Sequence, residues 1–568
     1  MSNAMQSGVS GLKVHQTMID VAGNNLANMN TVGFKSSRVT FQDLLSQTMK
    51  EASAPTETLG GTSPMQVGSG VIVGSVDRNM TQGTLDYTGT TTDMAMNGKG
   101  YFTLSTGLGN TYTRVGQFKV DPNFYLVDPA TGYRVQRIGN EGVAEGFQDP
   151  TSNDIRIPYD IDLPARTTEE IKFSGNLSSN KVKPTANNIT SDVQYTTGGG
   201  TVVSRTTYMK DIDQADGPLE AGDTITVEGT RRDGTAFSYT YTYDATTNGG
   251  KGDTMGDFLD KVTDEMKIGG KDTVRAQMIN GEIRIEDREK GYSKSYISKM
   301  EFNDVSGGTT TFKMPQQFVT LTAGGLAEIP VNTEIFDTQG ASYTLAGSFV
   351  KRDDTENTWD FVIKQIGGNA KVHDRRVEGI TFQTNGAFGE LHPTVGDADG
   401  MNIKLEFQNS DPGNIRNIRL NMGTLGQLDG LTQYGGASTA ACSGQDGYAA
   451  GSLKTLNVSR EGVLVGIFTN GVRKDLAALK IATFQNPAGL KAMGNNYFQP
   501  TANSGDPVSN KATEGNAGMV TGGAVEKSNV EVAKEFVNLI TAQNGYQANA
   551  RTITVANEML QALTGLIR

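Results

Sequence analysis

The sequence predicts a multidomain, mainly β protein. Nested, discontinuous β domains are expected, with paired N- and C-terminal α-helices, coiled-coil-like, at one end. Three observations predict this class. The chain has 568 residues, too many for a single core, so three or four domains are expected. Both ends carry helical periodicity, whereas most of the chain between them alternates with period two. Glycine (70 residues) far outnumbers proline (16), which points to many tight turns between strands rather than to disordered linkers.

The C-terminal helix is expected over 529–568. Stepping alternately four and three residues gives Val532, Phe536, Leu539, Gln543, Tyr546, Ala550, Ile553, Asn557, Leu560, Thr564 and Ile567, and eight of these eleven are apolar or aromatic. A seam of 3.5-residue period over about five heptads needs a partner helix. The N-terminus offers one, because Met5, Val9, Leu12, Gln16, Ile19, Gly23 and Leu26 follow the same step. An ordinary pair of core helices would show a wider apolar face, so seams at both extreme termini favour assembly.

Between the ends the chain divides as follows. The helical domain takes 1–35 and 529–568, and linker arms take 36–70 and 508–528. A first β domain takes 71–175 and 394–507, an outer β domain 176–195 and 316–393, and a small outermost domain 196–315. Within the first arm, Phe41, Leu44, Leu45 and Met49 fall on one helical face, and residues 51–70 are small, polar and turn-rich. From Val71 short strands alternate with Gly, Asn and Asp. The segments Ile403–Gln408 and Ile418–Gly436 are expected to lead back into the first β domain. In the insert, hairpins turn at Asp233-Gly234 and at Asn280-Gly281. Between them, Met255, Phe258, Leu259, Val262 and Met266 share one helical face. Phe237, Tyr239, Tyr241 and Tyr243 alternate with Ser and Thr, the pattern of one sheet face.

Composition narrows function. With 50 basic and 62 acidic residues the net charge is −12, which argues against nucleic-acid binding and suits a subunit that stays soluble before assembly. One cysteine, Cys442, excludes an intrachain disulfide, and its small neighbours predict a buried apolar thiol. Three histidines scattered along the chain offer no zinc spacing. There is no apolar run of membrane-spanning length and no signal-peptide pattern. No Gly-Lys pair precedes Ser or Thr, and no G-x-S-x-G elbow occurs. His15 lies within the first seam, His373 reads as a solvated strand end, and His392 precedes Pro393 in a turn, none with an evident orienting partner. The acidic turn Gly396–Gly400 lacks the ligand spacing of a calcium loop. No catalytic residue, cofactor or metal is expected.

Several motifs carry a resemblance. Gly8–Leu12 (GVSGL), Asn24–Lys35 (NNLANMNTVGFK), Thr88–Phe102, Tyr112–Asp128 and the C-terminal run from Asn529 resemble the bacterial flagellar rod and hook family. Gly462–Pro507 is similar to the hook branch in particular, and residues 180–380 resemble the family much less. The resemblance implies a structural subunit that assembles with itself into a helical homopolymer, a curved tube joining rod to filament. It implies as partners a distal rod protein, a hook cap protein, a hook–filament junction protein and the flagellar type III export apparatus. It implies location in the extracellular flagellum, reached by export without a cleaved signal peptide. Phe41 and Leu45 fit its Phe-x-x-x-apolar export-gate signal. The residues expected to make the axial interface are Val9, Leu12, Ile19 and Leu26 with Val532, Phe536, Leu539, Tyr546, Ile553 and Leu560. A distal rod protein would lack the large insertion, and a secreted adhesin or glycan-binding β protein would need a pocket within it.

Overall fold

A computed structural model describes residues 3–180, 183–305, 310–352, 358–393 and 400–566. Most of the Gly396–Gly400 turn, and Ile567 of the predicted seam, lie outside the described residues. The elements used below are α1 (Asn3–Ala27), β1 (Ser37–Asp43), β2 (Gln47–Lys50), β3 (Met65–Val67), β4 (Val71–Arg78), α2 (Met255–Glu265) and α3 (Val532–Leu566). The chain divides into two compact units, one of residues 1–163 with 451–568, the other of 164–450.

The first unit is built by pairing strands from opposite ends of the sequence. Tyr101–Ser105 lies against Ile481–Thr483, and Asn110–Thr113 lies against Tyr497–Gln499. Met94–Asn97 takes Met519–Gly522, and Leu85–Tyr87 takes Ala524–Glu526. Alternation puts Met94, Met96, Phe102, Leu104 and Ile481 inside, all fully buried. Beside them Tyr101, Tyr112, Phe484 and Phe498 meet edge to face, with ring centroids 5.0–5.6 Å apart. The segment 508–528, expected as a linker arm, is part of this sheet system: Val508–Asn510 pairs with Ile481–Thr483, and Met519–Gly522 and Ala524–Glu526 pair with strands more than 400 residues earlier.

The arm at 36–70 also differs from expectation. Phe41 lies in β1, which pairs antiparallel with β4, and Leu45 follows in a connecting turn, so they share no helical face. β-Branched Val39, Thr40, Val71, Ile72 and Val73 favour the ribbon, and the pairing partner lies beyond the reach of a local helical pattern. Residues 51–64 form the far end of a hairpin rather than an extended linker. β2 pairs with β3, and Ser53 bridges Thr62.

The second unit holds two cores. In one, Glu170–Asn176 runs parallel to Arg416–Asn421 and antiparallel to Ala441–Gln445. A five-stranded antiparallel sheet over 328–391 packs with it around the fully buried Trp359. Asn402–Phe407 and Arg416–Asn421 therefore belong here, not to the first β domain as expected. Their alternating Ile403, Leu405, Phe407, Ile418 and Leu420 complete this core.

The other core runs from Ile189 to Phe318 and matches the hairpin readings. Thr224–Thr230 pairs with Ala236–Thr242 across Asp233-Gly234, and Val274–Ile279 pairs with Glu282–Asp287. Asn280 and Gly281 both take positive φ (52° and 77°), the geometry a two-residue turn of this kind requires. Met255, Phe258, Leu259, Val262 and Met266 are buried, and Phe237, Tyr241 and Tyr243 pack into the same core. Helix α2 begins at a capping box, Thr254 accepting from the Asp257 amide while the Asp257 carboxylate accepts from the Thr254 amide. Thr254→Ala removes the cap and is expected to cost about 1 kcal/mol. Amide exchange across 255–265 should then run roughly fivefold faster, with other segments unchanged.

Candidate functional site

The two terminal helices meet antiparallel. Gly8 faces Ile553, Gly11 faces Asn549, and His15 faces Gly545. A Cβ on Gly11 would stand 2.5 Å from the Asn549 side chain, and one on Gly545 would stand 2.5 Å from the His15 ring. A Cβ at either position would have to push the facing side chain aside, so glycine lets these side chains pack directly on the opposite helix. Glu535, Ala542 and Ala556 of α3 and Val14, Ala22 and Asn25 of α1 are also buried.

This contact face is turned from the predicted seam by one residue position on each helix. Val9, Phe536 and Tyr546 are among the exposed side chains, Phe536 at 49% and Tyr546 at 40%, and so are Val532 and Leu560. Leu12, Ile19, Leu26, Leu539 and Ile553 are half-buried, with Ile553 against Gly8. The 3.5-residue count selected bulky side chains, but close contact between the two helices selects small ones. The bulky set is left outward, joined there by Val537, Ile540, Val555, Met559 and Leu563. A long helix that is apolar on most of its circumference is stable in water only when other surfaces cover it.

Where α1 ends and α3 begins, a polar knot ties both to the β framework. Asn25 donates its side-chain amide to the Ser37 carbonyl (2.8 Å) and accepts from the Ser37 amide (2.9 Å), which fixes the turn from α1 into β1. Gly33, at φ 69°, donates its amide to the Glu526 carbonyl (2.8 Å). The Lys35 ammonium reaches the Glu526 carboxylate at 2.6 Å, and Arg114 reaches its other oxygen at 3.4 Å. All three side chains are buried. Burial holds the Lys35 ammonium below the ordinary lysine range, with Glu526 opposing that shift. Asn529 accepts from the Ser36 amide and donates to the Asn79 and Thr81 carbonyls. These residues were not singled out in the sequence. The signal available was one charge of each sign inside otherwise uncharged stretches, Val-Gly-Phe-Lys and Gly-Ala-Val-Glu.

The remaining candidates are quieter. His15 stacks edge-on to Phe41 with centroids 5.9 Å apart, and its Nδ1 has no hydrogen-bond partner among the described residues. His373 lies 2.7 Å from the Glu406 carboxylate. Cys442 is half-buried rather than buried, its thiol 3.2 Å from the Thr333 hydroxyl. Among the described residues no group of His, Cys, Asp or Glu is placed to hold a metal ion, and no helix is long and apolar enough to cross a membrane.

Comparison with known families matches residues 5–35 to "Flagella basal body rod protein" and 95–178 to "Flagellar hook protein FlgE/F/G D1 domain". Residues 299–448 match "Flagellar basal body protein FlaE D2 domain", and 521–566 match "Flagellar basal body rod FlgEFG protein C-terminal". Among curated proteins, the chain is 29% identical over 578 residues to the flagellar hook protein FlgE of Borreliella burgdorferi, covering all of both chains. The FlgE of Treponema pallidum gives the same identity and coverage. The flagellar basal-body rod protein FlgG of Bacillus subtilis is 47% identical over 135 residues, 24% of this chain and 51% of that one. A crystal structure of Helicobacter pylori FlgE2 aligns at 18% identity, covering 78% of this chain and 99% of that one. The TM-score of that alignment is 0.38.

Removing one member of the buried knot strands the others. Glu526→Gln is expected to destabilise the first unit by about 3–5 kcal/mol, because Lys35 and Arg114 lose their counter-charge without regaining water. Replacing Lys35, Arg114 and Glu526 together by methionine should cost less than the single change. Calorimetry on the three proteins checks the order, and equal losses would refute it.

Proposed function

We propose, from the premise that the chain belongs to the flagellar rod and hook family, that it is the structural subunit of a flagellar hook. It polymerises into a curved, flexible tube that carries torque from rod to filament. It acts by assembly and not by catalysis. The observation that carries the reading is that hook proteins match from end to end, including the 176–393 insert, whereas the rod relative matches 24% of the chain. The high identity of that shorter match keeps a distal rod role as the second reading.

The physical logic lies in α3. The pair α1–α3 is sealed by small residues, and the outward Val532, Phe536, Tyr546 and Leu560 form the surface that neighbouring copies cover. Val9, Leu12, Ile19, Leu26, Leu539 and Ile553 then support that axial layer from within or at its edge. Continuous apolar contact between long helices gives a stiff layer, whereas polar sheet surfaces can slide and re-form as the tube bends. The proposed partners are the distal rod, hook cap and hook–filament junction proteins and the type III export apparatus, which the chain enters without a cleaved signal peptide. Phe41 and Leu45, both exposed, are the proposed gate signal, read while the chain is unfolded and therefore indifferent to the strand they later join.

Electron microscopy of concentrated protein tests the reading. The full chain is expected to form curved tubes, and a chain lacking residues 1–35 and 530–568 should stay monomeric. Phe536→Asp with Tyr546→Asp changes two exposed side chains, so the fold and its circular dichroism should persist while tubes are lost. Tubes from that double variant would refute the role given to α3.

A further inference from the structure

The two cores of the second unit share no residue among those described. The chain passes between them twice, between Leu177 and Ile189 and again between Phe318 and Ala327. Thr185 bridges Gly325, so the two crossings lie side by side. Adjacent crossings alone make a pivot, and separate cores joined through a small polar contact are expected to move against each other.

A third segment spans the joint. Residues Gly291–Ser295 read Gly-Tyr-Ser-Lys-Ser, and alternation sends their side chains two ways. The Ser293 and Ser295 hydroxyls bond to each other, and Ser295 donates to the buried Asp287 of the smaller core. Tyr292 and Lys294 turn to the sheet over 328–391 instead. The Tyr292 hydroxyl donates to the Asp360 carboxylate at 2.5 Å, and the Lys294 ammonium reaches Glu378 at 2.5 Å. Arg376 donates to the same Asp360 carboxylate (3.0 Å), to the Tyr292 hydroxyl (3.2 Å) and to the Ser293 carbonyl (3.1 Å). Arg352 reaches Glu378 at 3.2 Å and stands over the Tyr292 ring, 5.0 Å from its centroid. The backbone of the segment closes on both crossings, the Gly291 amide donating to the Thr185 carbonyl (2.9 Å) and the Ser293 amide to the Gly324 carbonyl (3.2 Å).

Apolar contact at this joint is small, the Tyr292 ring packing on Ala323, Val350 and Val362. Charge does most of the holding. Asp360 is fully enclosed, and burial raises the Tyr292 phenol above its ordinary range, so it remains a donor. Desolvation offsets most of the attraction in such pairs, so the closed joint is favoured by little, whereas each core is held by its own apolar packing. Arg375 donates to the Phe318 carbonyl at 3.0 Å, at the foot of the second crossing, where it has little leverage against rotation.

We propose that Gly291–Ser295 is a latch. Closed, it makes the smaller core and the sheet over 328–391 one rigid lever; open, it leaves the smaller core free to pivot on the paired crossings. Spin labels distinguish the two states. They are placed on Lys271→Cys beside the smaller core and Lys371→Cys beside the other, both exposed, with Cys442→Ser, and distances are read by pulsed electron resonance on the monomeric chain. The parent is expected to give one narrow distribution. Tyr292→Ala with Lys294→Ala removes both contacts to the sheet and should broaden it roughly twofold or more. Amide exchange within Val274–Ile279 and Glu328–Phe336 should stay unchanged, which shows both cores folded. Tyr292→Phe and Lys294→Glu each alter one contact and should broaden the distribution by less, which keeps the test open if the double variant misfolds. A broad distribution in the parent, or a narrow one kept by these variants with both cores folded, overturns the latch. Tube formation has no bearing on it, because no second copy takes part.

Discussion

One buried carboxylate closes this fold. Glu526 is fully enclosed, and its first oxygen accepts from the Lys35 ammonium and the Gly83 amide while its second faces Arg114. Residues 491, 443 and 412 positions away in sequence thus meet on a single side chain. The carbonyl of the same residue receives the Gly33 amide. A buried ion cluster of this type is poor evidence of net stability, because desolvation offsets most of the attraction. What it supplies is selection. Any register that failed to bring Lys35 and Arg114 to Glu526 would leave charges buried and alone, at a cost of several kcal/mol.

The knot also explains how the terminal helices divide their surfaces. With the exit of α1 and the entry of α3 fixed, the helices can approach only as closely as the side chains between them allow. Gly8, Gly11, Ala542 and Gly545 make that approach close. Apart from Ile553, which packs on Gly8, most of the larger apolar side chains of α3 lie outside this contact. Intrachain pairing therefore uses one set of residues on the helix and leaves a different, outward set uncovered.

Much of this was legible in the sequence, for identifiable reasons. The hairpins at Asp233-Gly234 and Asn280-Gly281, the helix from Met255 and the extent of both terminal helices depend on neighbours within a dozen residues, where periodicity and turn chemistry act. The errors share an opposite cause. Residues 519–526 and 416–421 differ from expectation because they pair with strands far away in sequence, Met94–Asn97, Leu85–Tyr87 and Glu170–Asn176, and short polar strands look like linker until the partner strand is known. Phe41, Leu44 and Leu45 lie at helical spacing by accident, and pairing with β4 overrides it. The close contact between the two helices lies one position away from the apolar seam, because close packing demands small size rather than apolar bulk. Glu526, Lys35 and Asn529 were missed because a buried charge leaves no periodic trace.

The interleaving of early and late strands also sets an order in time. Residues 164–450 form a continuous stretch, whereas the other unit needs residues before 164 and after 450 together. A chain delivered end-first, from a ribosome or through a narrow channel, therefore has all of its second unit available before the first can close, whichever end leads. The first unit carries a long loop-closure entropy, which is smaller when the segment between its two halves is folded and compact. Whatever surfaces the terminal helices offer to other molecules are thus withheld until the last residues have arrived.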